Sequence, residues 1–140
     1  MKFVLDSDVF IEAARPKGNP AVHRWLFALP PLARLVCPVT LAEFLAGQDF
    51  VSRQQRMRER RLAASSLKWE WNGFDEDVAA VWAGLQRAGR RNGFSMDDND
   101  CWLAALACRR GARLATRNTA HFQPLVDCGT GLLLVNPWDN

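Results

Sequence analysis

Short apolar runs alternate along this chain with longer stretches in which apolar side chains recur at helical spacing. The runs KFVL, RLVCP, RLAT and LLLV are brief and apolar, which predicts buried strands. VFIEAA, after Asp8, consists of good helix formers and predicts a short helix. RPKGN is a turn, and Asn19-Pro20 reads as N-cap and first helical position of the next helix, with Val22, Trp25, Leu26 and Leu29 on one face and Pro30-Pro31 as its stop. TLAEFLAG opens a long helix expected to run to about Ala64, with a break near Gly47. After a loop around WNGF, Asp75 is expected to cap a helix that turns Val78, Val81, Trp82 and Leu85 inward and ends at RRNGFS. Asp97 to Arg110 is predicted to be a further helix, so apolar from Cys101 to Cys108 that it belongs at the centre of the fold. TAHFQPLV is expected as a short helix or turn. Short apolar strands alternating with helices indicate an α/β fold with a parallel sheet. At 140 residues, 49% of them hydrophobic, the chain is expected to form one compact domain over 1–140 with a substantial core. There is no repeat, low-complexity tract or linker.

Charge adds a mild hint. The net charge is +3, and apart from Lys2, Lys17 and Lys68 the 18 basic residues are arginine, the side chain suited to bidentate phosphate contacts. A GC-rich coding sequence produces the same bias. Cys37, Cys101, Cys108 and Cys128 form no C-x-x-C pair, and His23 and His121 are far apart in sequence, so a zinc site is not expected. The N-terminus has no signal-peptide pattern and no apolar stretch suffices to span a bilayer, so a reducing cytoplasm is the default expectation.

The acids carry the chemistry. Ligands of parallel sheets sit beyond the carboxyl ends of the strands. Polar groups fall at such places four times: Asp6 and Asp8, Glu43, the DDND cluster at 97–100, and Thr116 to Asn118. Each has an ordinary reading. Asp8 can N-cap the following helix, TLAE reads as a capping box that uses Glu43, and Asp97 and Asp98 are caps for the CWLAALAC helix. Thr116 can serve a strand-end turn or bond a water or phosphate oxygen. Asp100 lies inside a first helical turn, where the dipole rewards it by only about 0.3–1 kcal/mol. Asp6 is hardest to explain, since a strand end needs no acid. Convergent carboxylates without His or Cys suit Mg²⁺ or Mn²⁺, which relieve the repulsion, activate water and stabilise charge on a phosphoryl group.

LDSDVFIEAAR, VTLAEFLAG, DNDCWLAALA and LATRNTAHF, in that order and spacing, resemble the PIN-domain ribonucleases, and more narrowly the VapC-type toxins of toxin–antitoxin pairs. ATRNTAHF, VNPWD and FDEDVAAVW are similar to the FitB-like branch. The resemblance covers nearly the whole chain. It implies a three-layer α/β/α arrangement around a roughly five-stranded parallel sheet and a Mg²⁺- or Mn²⁺-dependent endoribonuclease. It also implies an RNA substrate, a cognate antitoxin and a homodimer. Asp6, Glu43 and Asp100 match the family's acidic triad. Asp8 stands where the family often has Asn, and Asn118 where many members carry a fourth acid, so Asn118 is expected as a weaker metal ligand and Asp8, Asp98 and Thr116 as supporting residues.

RQQRMRERR places Arg53, Arg56 and Arg60 at i, i+3, i+7 spacing. This stripe reads either as a solvated helix face or as a phosphate-binding surface. Trp25, Trp82 and Trp102 are expected in the core, and Trp69 and Trp71 beside a loop. Two rival readings remain. D-x-D after a strand also marks HAD-like phosphotransferases, with Asp6 as nucleophile and Asp8 as acid/base, although no convincing later lysine follows and Phe10 replaces the small residue expected there. The other rival is a non-catalytic interaction domain that keeps the PIN fold.

Overall fold

The computed structural model describes residues 1–47, 51–65, 68–69 and 74–139, with 62–65 and 68–69 described as backbone alone. Five strands form one parallel sheet: β1 (Phe3–Leu5), β2 (Arg34–Val36), β3 (Lys68–Trp69), β4 (Arg113–Ala115) and β5 (Leu134–Val135), in the order β3-β2-β1-β4-β5. The helices are α1 (Ser7–Ala14), α2 (Pro20–Ala28), α3 (Pro38–Gly47), α4 (Arg53–Ser65), α5 (Glu76–Asn92), α6 (Asp98–Arg110) and α7 (Thr119–Asp127).

Strand alternation sorts the core into two layers. Val4, Leu35 and Leu114 point to one face of the sheet, against Val78 and Leu85 of α5, Leu103 and Leu106 of α6 and Phe122 and Leu125 of α7. Leu5, Val36 and Ala115 point to the other face, against Val9 and Phe10 of α1, Val22 and Leu26 of α2 and Phe44 of α3. The chain is therefore a three-layer α/β/α sandwich, and both faces of its central strands are covered, which is why Val4, Leu5, Leu35, Val36, Leu114 and Ala115 are all apolar. The expected centrality of α6 is visible in Cys101 and Leu103 to Ala107, all buried. Gly111, with φ of 62°, ends α6 in the left-handed conformation that only glycine adopts without strain.

Several local expectations need correction. The expected break near Gly47 is present, since α3 ends there and α4 starts at Arg53, but α3 begins at Pro38, two residues before the expected start at Thr40. Thr40 is thus inside the helix, and its hydroxyl donates to Leu5 O at 3.1 Å. TLAE is therefore no capping box, and Glu43 is free of that duty. Trp25, Trp82 and Trp102 pack as expected: Trp25 edge-on to Phe3, with centroids 5.1 Å apart, and Trp82 stacked on Trp102 at 5.3 Å. Trp71 and the side chain of Trp69 lie outside the described residues. Cys37, Cys101, Cys108 and Cys128 are free thiols. Among the described residues no helix is long and apolar enough to cross a membrane.

Candidate active site

Strand order reverses at β1. The chain steps from β1 outward through β2 to β3, then returns to place β4 on the opposite side of β1. The crevice at the carboxyl ends of β1 and β4 is the switch point where such sheets bind ligands. Asp6 leaves β1 there, Thr116 leaves β4, α3 brings Glu43 after β2, and the N-terminus of α6 brings Asp100.

The hydrogen bonds around these acids are mostly long-range. Asp6 is the N-cap of α1: its Oδ1 accepts the Ser7 backbone N–H at 2.7 Å, and its Oδ2 accepts the Thr116 hydroxyl at 3.0 Å. An acid at this strand end therefore has a local job that the sequence did not suggest. Asp8, expected as the cap, sits inside the first turn, and its Oδ2 instead accepts the Arg117 backbone N–H at 3.0 Å and lies 3.4 Å from Thr116 Oγ1. Its Oδ1 is buried and takes no hydrogen bond from the protein. Glu43 accepts the Ser7 hydroxyl on Oε2 at 2.9 Å, and its Oε1 lies 3.5 Å from Asn99 Nδ2. Asp100 Oδ2 lies 2.9 Å from His121 Nε2.

Thr116 is fully buried. Its proton goes to the Asp6–Asp8 pair and its oxygen accepts the Asn118 backbone N–H at 3.1 Å. The expectation that this hydroxyl reaches a water or phosphate oxygen gives way to a positioning role. Asp97, not Asp98, caps α6, accepting from Asn99 N and Asp100 N. Asp97 also faces the acid cluster, since its charge bears on both Glu43 and Asp100, whereas Asp98 bears on Cys101. Asn118 is exposed at the N-cap of α7, and its side chain makes no capping bond. Ser7, Asn99 and His121 were not foreseen. Their partners lie far away in sequence, and only the fold pairs them.

Electrostatics bind the acids into one group. Burial raises the carboxyl of Asp6 above the ordinary carboxylate value, opposed by the Thr116 and Ser7 hydrogen bonds and by nearby His121. Burial and then the Asp6 charge push Asp8 up to about 6. Glu43 is raised by burial first, then by Asp6, Asp100 and Asp97, against its Ser7 bond. Asp100 is raised by burial, then Asp6, with His121 pulling the other way. Burial is the first cause for each acid, and for Asp8, Glu43 and Asp100 the charge of neighbouring acids adds to it.

Among the described residues, no three His, Cys, Asp or Glu side chains converge closely enough to hold one ion in common. That excludes a closed all-protein cage. It is compatible with Mg²⁺, which keeps several waters and takes one or two carboxylates directly. The donor set fits such an ion: it is all oxygen, mutually repelling, and includes the unpartnered Asp8 Oδ1.

The expected Arg53, Arg56 and Arg60 stripe is uneven. Arg53 and Arg60 are exposed, whereas Arg56 is half-buried and partnered. The same helix buries Glu59, which accepts from Gln55, and Arg58 donates to Ala14 O at 2.8 Å.

The pKa of Asp8 has a measurable consequence in metal-free protein. Unfolded, this carboxyl titrates near 3.8; folded, near 6. Between these values the folded state binds more protons, so its stability falls as pH rises through the window. Asp8→Asn keeps an acceptor for Arg117 N–H and removes the charge. In EDTA it is expected to stabilise the protein by on the order of 1 kcal/mol above pH 6, a few degrees in Tm. The difference should vanish below about pH 4, where both side chains are neutral. Thermal unfolding of both proteins across pH checks this; a pH-independent difference contradicts it.

Comparison with known proteins places these features in context. A family model described as PIN domain matches residues 3–124. The chain is 30% identical to the plasmid stability protein StbB of Pseudomonas syringae pv. tomato, over 97% of this chain and 98% of that protein. It is 28% identical to the VapC ribonuclease Y4jK of Sinorhizobium fredii, over 97% of each. The crystal structure of FitAcB from Neisseria gonorrhoeae superposes with a TM-score of 0.78 at 26% identity, covering 99% of both chains.

Proposed function

The chain belongs to the PIN domain family, and from that premise we propose that it is a divalent-metal-dependent endoribonuclease and the toxin of a toxin–antitoxin pair. The observation that carries this reading is the gathering of Asp6, Glu43 and Asp100 at the switch point of the sheet, each with a partner that fixes it and each raised in pKa. The relatives support it, since one is named a VapC ribonuclease and another, 28% identical over 96% of this chain, the toxin FitB of Neisseria gonorrhoeae. The whole stretch 1–140 acts as one unit in this reading.

Asp6, Glu43 and Asp100 hold Mg²⁺ or Mn²⁺, directly or through water, with Asp8 adding charge and Asn118 a weaker carbonyl ligand. When bound, such an ion supplies positive charge for the phosphoryl oxygens and lowers the pKa of water. The protein's own part is positioning. Ser7 fixes the Glu43 carboxylate, Thr116 fixes Asp6, and His121 fixes Asp100. All three carboxylates are half-buried, so part of each reaches solvent where a substrate can approach. A HAD-like phosphotransferase is set aside by the family match. A non-catalytic PIN-fold domain remains the contrast for experiment: purified protein stripped of metal should cleave single-stranded RNA on addition of Mg²⁺ or Mn²⁺ and stop in EDTA. Absence of cleavage under all these conditions would favour the interaction domain.

Asn118 offers a finer test. An amide brings no charge, so a second ion is expected to bind only weakly. Asn118→Asp should strengthen that second site and lower the Mg²⁺ concentration needed for half-maximal cleavage severalfold. Identical Mg²⁺ dependence in both proteins would place Asn118 outside the metal site.

A further inference from the structure

Beside the acid cluster lies a groove of about 280 Å³ whose lining includes Ser7, Asp8, Arg117 and Trp138, together with Glu12 and Arg15. Its size falls just below the roughly 300–1,000 Å³ of drug-sized sites and suits a single heterocycle. One wall is a layered pair: the Arg117 guanidinium sits over the Trp138 indole, 5.2 Å from the ring centroid. The backbone of Arg117 is tied to the acids, because its N–H donates to Asp8 Oδ2 at 3.0 Å. Trp138 is anchored at its base, with its backbone N–H donating to Asn136 Oδ1 at 3.0 Å and its ring against the α1–α2 core layer. The acid Glu12 is neutralised in place: it pairs with Arg15 at 3.0 Å and accepts Asn19 N–H at 3.0 Å. A slot with a guanidinium–indole platform, one step from carboxylates suited to a metal, has the chemistry of a nucleotide subsite. Aromatic rings and arginine planes stack unpaired bases, and arginine binds phosphate.

We infer that this groove seats the nucleoside next to the cleaved phosphodiester, stacked on the Arg117–Trp138 pair, with the Arg117 guanidinium engaging a phosphate. The inference rests on the ribonuclease reading and is tested separately from it. The probes are the four nucleoside 5′-monophosphates and ribose 5-phosphate, titrated into ¹⁵N-labelled full-length protein. The Trp138 indole resonance is assigned from Trp138→Phe. The monophosphates are expected to shift that resonance and to bind about tenfold or more tightly than ribose 5-phosphate, the difference being the stacked base. Trp138→Leu should lose the preference for a base, and Arg117→Gln should weaken the monophosphates and ribose 5-phosphate alike. An unmoved Trp138 resonance in the unmodified protein overturns the inference and does not depend on any variant folding. So does a base preference that survives Trp138→Leu, or equal phosphate affinity in Arg117→Gln. A resonance that moves only when a protein partner is added would give the groove to that partner and also overturn it. If the protein cuts RNA while the groove ignores nucleotides, the subsite falls and the ribonuclease reading stands. If nucleotides shift Trp138 but no RNA is cut, the site next to a cleaved bond falls together with that reading.

Discussion

Asp6→Asn, Glu43→Gln and Asp100→Asn are each expected to lower Mg²⁺- or Mn²⁺-dependent RNA cleavage by at least about a hundredfold, with the fold intact. All three changes are isosteric; Glu43→Gln keeps an acceptor for the Ser7 hydroxyl, whereas Asp6→Asn keeps an acceptor for only one of its two donors, Ser7 N–H and the Thr116 hydroxyl. What is lost is charge at the place where a cation would be held. The same loss relieves repulsion, since the charge of Asp6 raises both Glu43 and Asp100. Metal-free Glu43→Gln should therefore melt no lower than the original protein, and melting curves of all three variants separate a functional defect from an unfolding one. Full activity in Asp100→Asn would remove that residue from the site. His121→Gln is a milder companion. It removes the partner 2.9 Å from Asp100 while leaving every proposed ligand in place. Its expected loss is about 10- to 100-fold, the usual range for residues that orient a ligand.

The second large effect is cellular. Expression of this chain alone is expected to arrest growth, and co-expression of a small neighbouring frame encoding its antitoxin should restore it. The acid cluster explains why neutralisation is chemically easy. Half-buried carboxylates that repel one another would accept an arginine from a partner as readily as a cation. Asp100→Asn should abolish the arrest without any partner, which distinguishes loss of cleavage from loss of expression once protein levels are matched. No arrest and no co-purifying partner would contradict the toxin reading, even if the purified protein cuts RNA.

How much of this was legible in the sequence differs by kind of feature. Four of the five strands, α2, α5 and α6 were legible because local signals set them: short apolar runs, Asn19-Pro20, the Asp75 cap and the unbroken apolar stretch from Cys101 to Cys108; β3, Lys68–Trp69, carries no such run and was not foreseen. The acids were legible as positions but not as roles. Asp6 rather than Asp8 caps α1 because the helix begins two residues earlier than an Asp8 cap requires. Glu43 lost its capping box because α3 begins at Pro38. A shift of one or two residues at a helix end, within the normal uncertainty of such boundaries, decides which oxygen meets which N–H. The positioning residues were hidden for another reason. Ser7 meets Glu43 across 36 residues and Thr116 meets Asp6 across 110. No periodicity or cap signal spans such distances, and only the strand order β2-β1-β4 brings the partners together.

The claim beneath all of this is that Asp6, Glu43 and Asp100 act as one cation site. Calorimetric titration of Mn²⁺ into the metal-free protein and into the three single variants measures it without reference to any RNA. The original protein should bind one Mn²⁺ well, and Asp6→Asn, Glu43→Gln and Asp100→Asn should each weaken that binding by about tenfold or more. Unchanged Mn²⁺ affinity in all three variants, or no binding to the original protein, would contradict it.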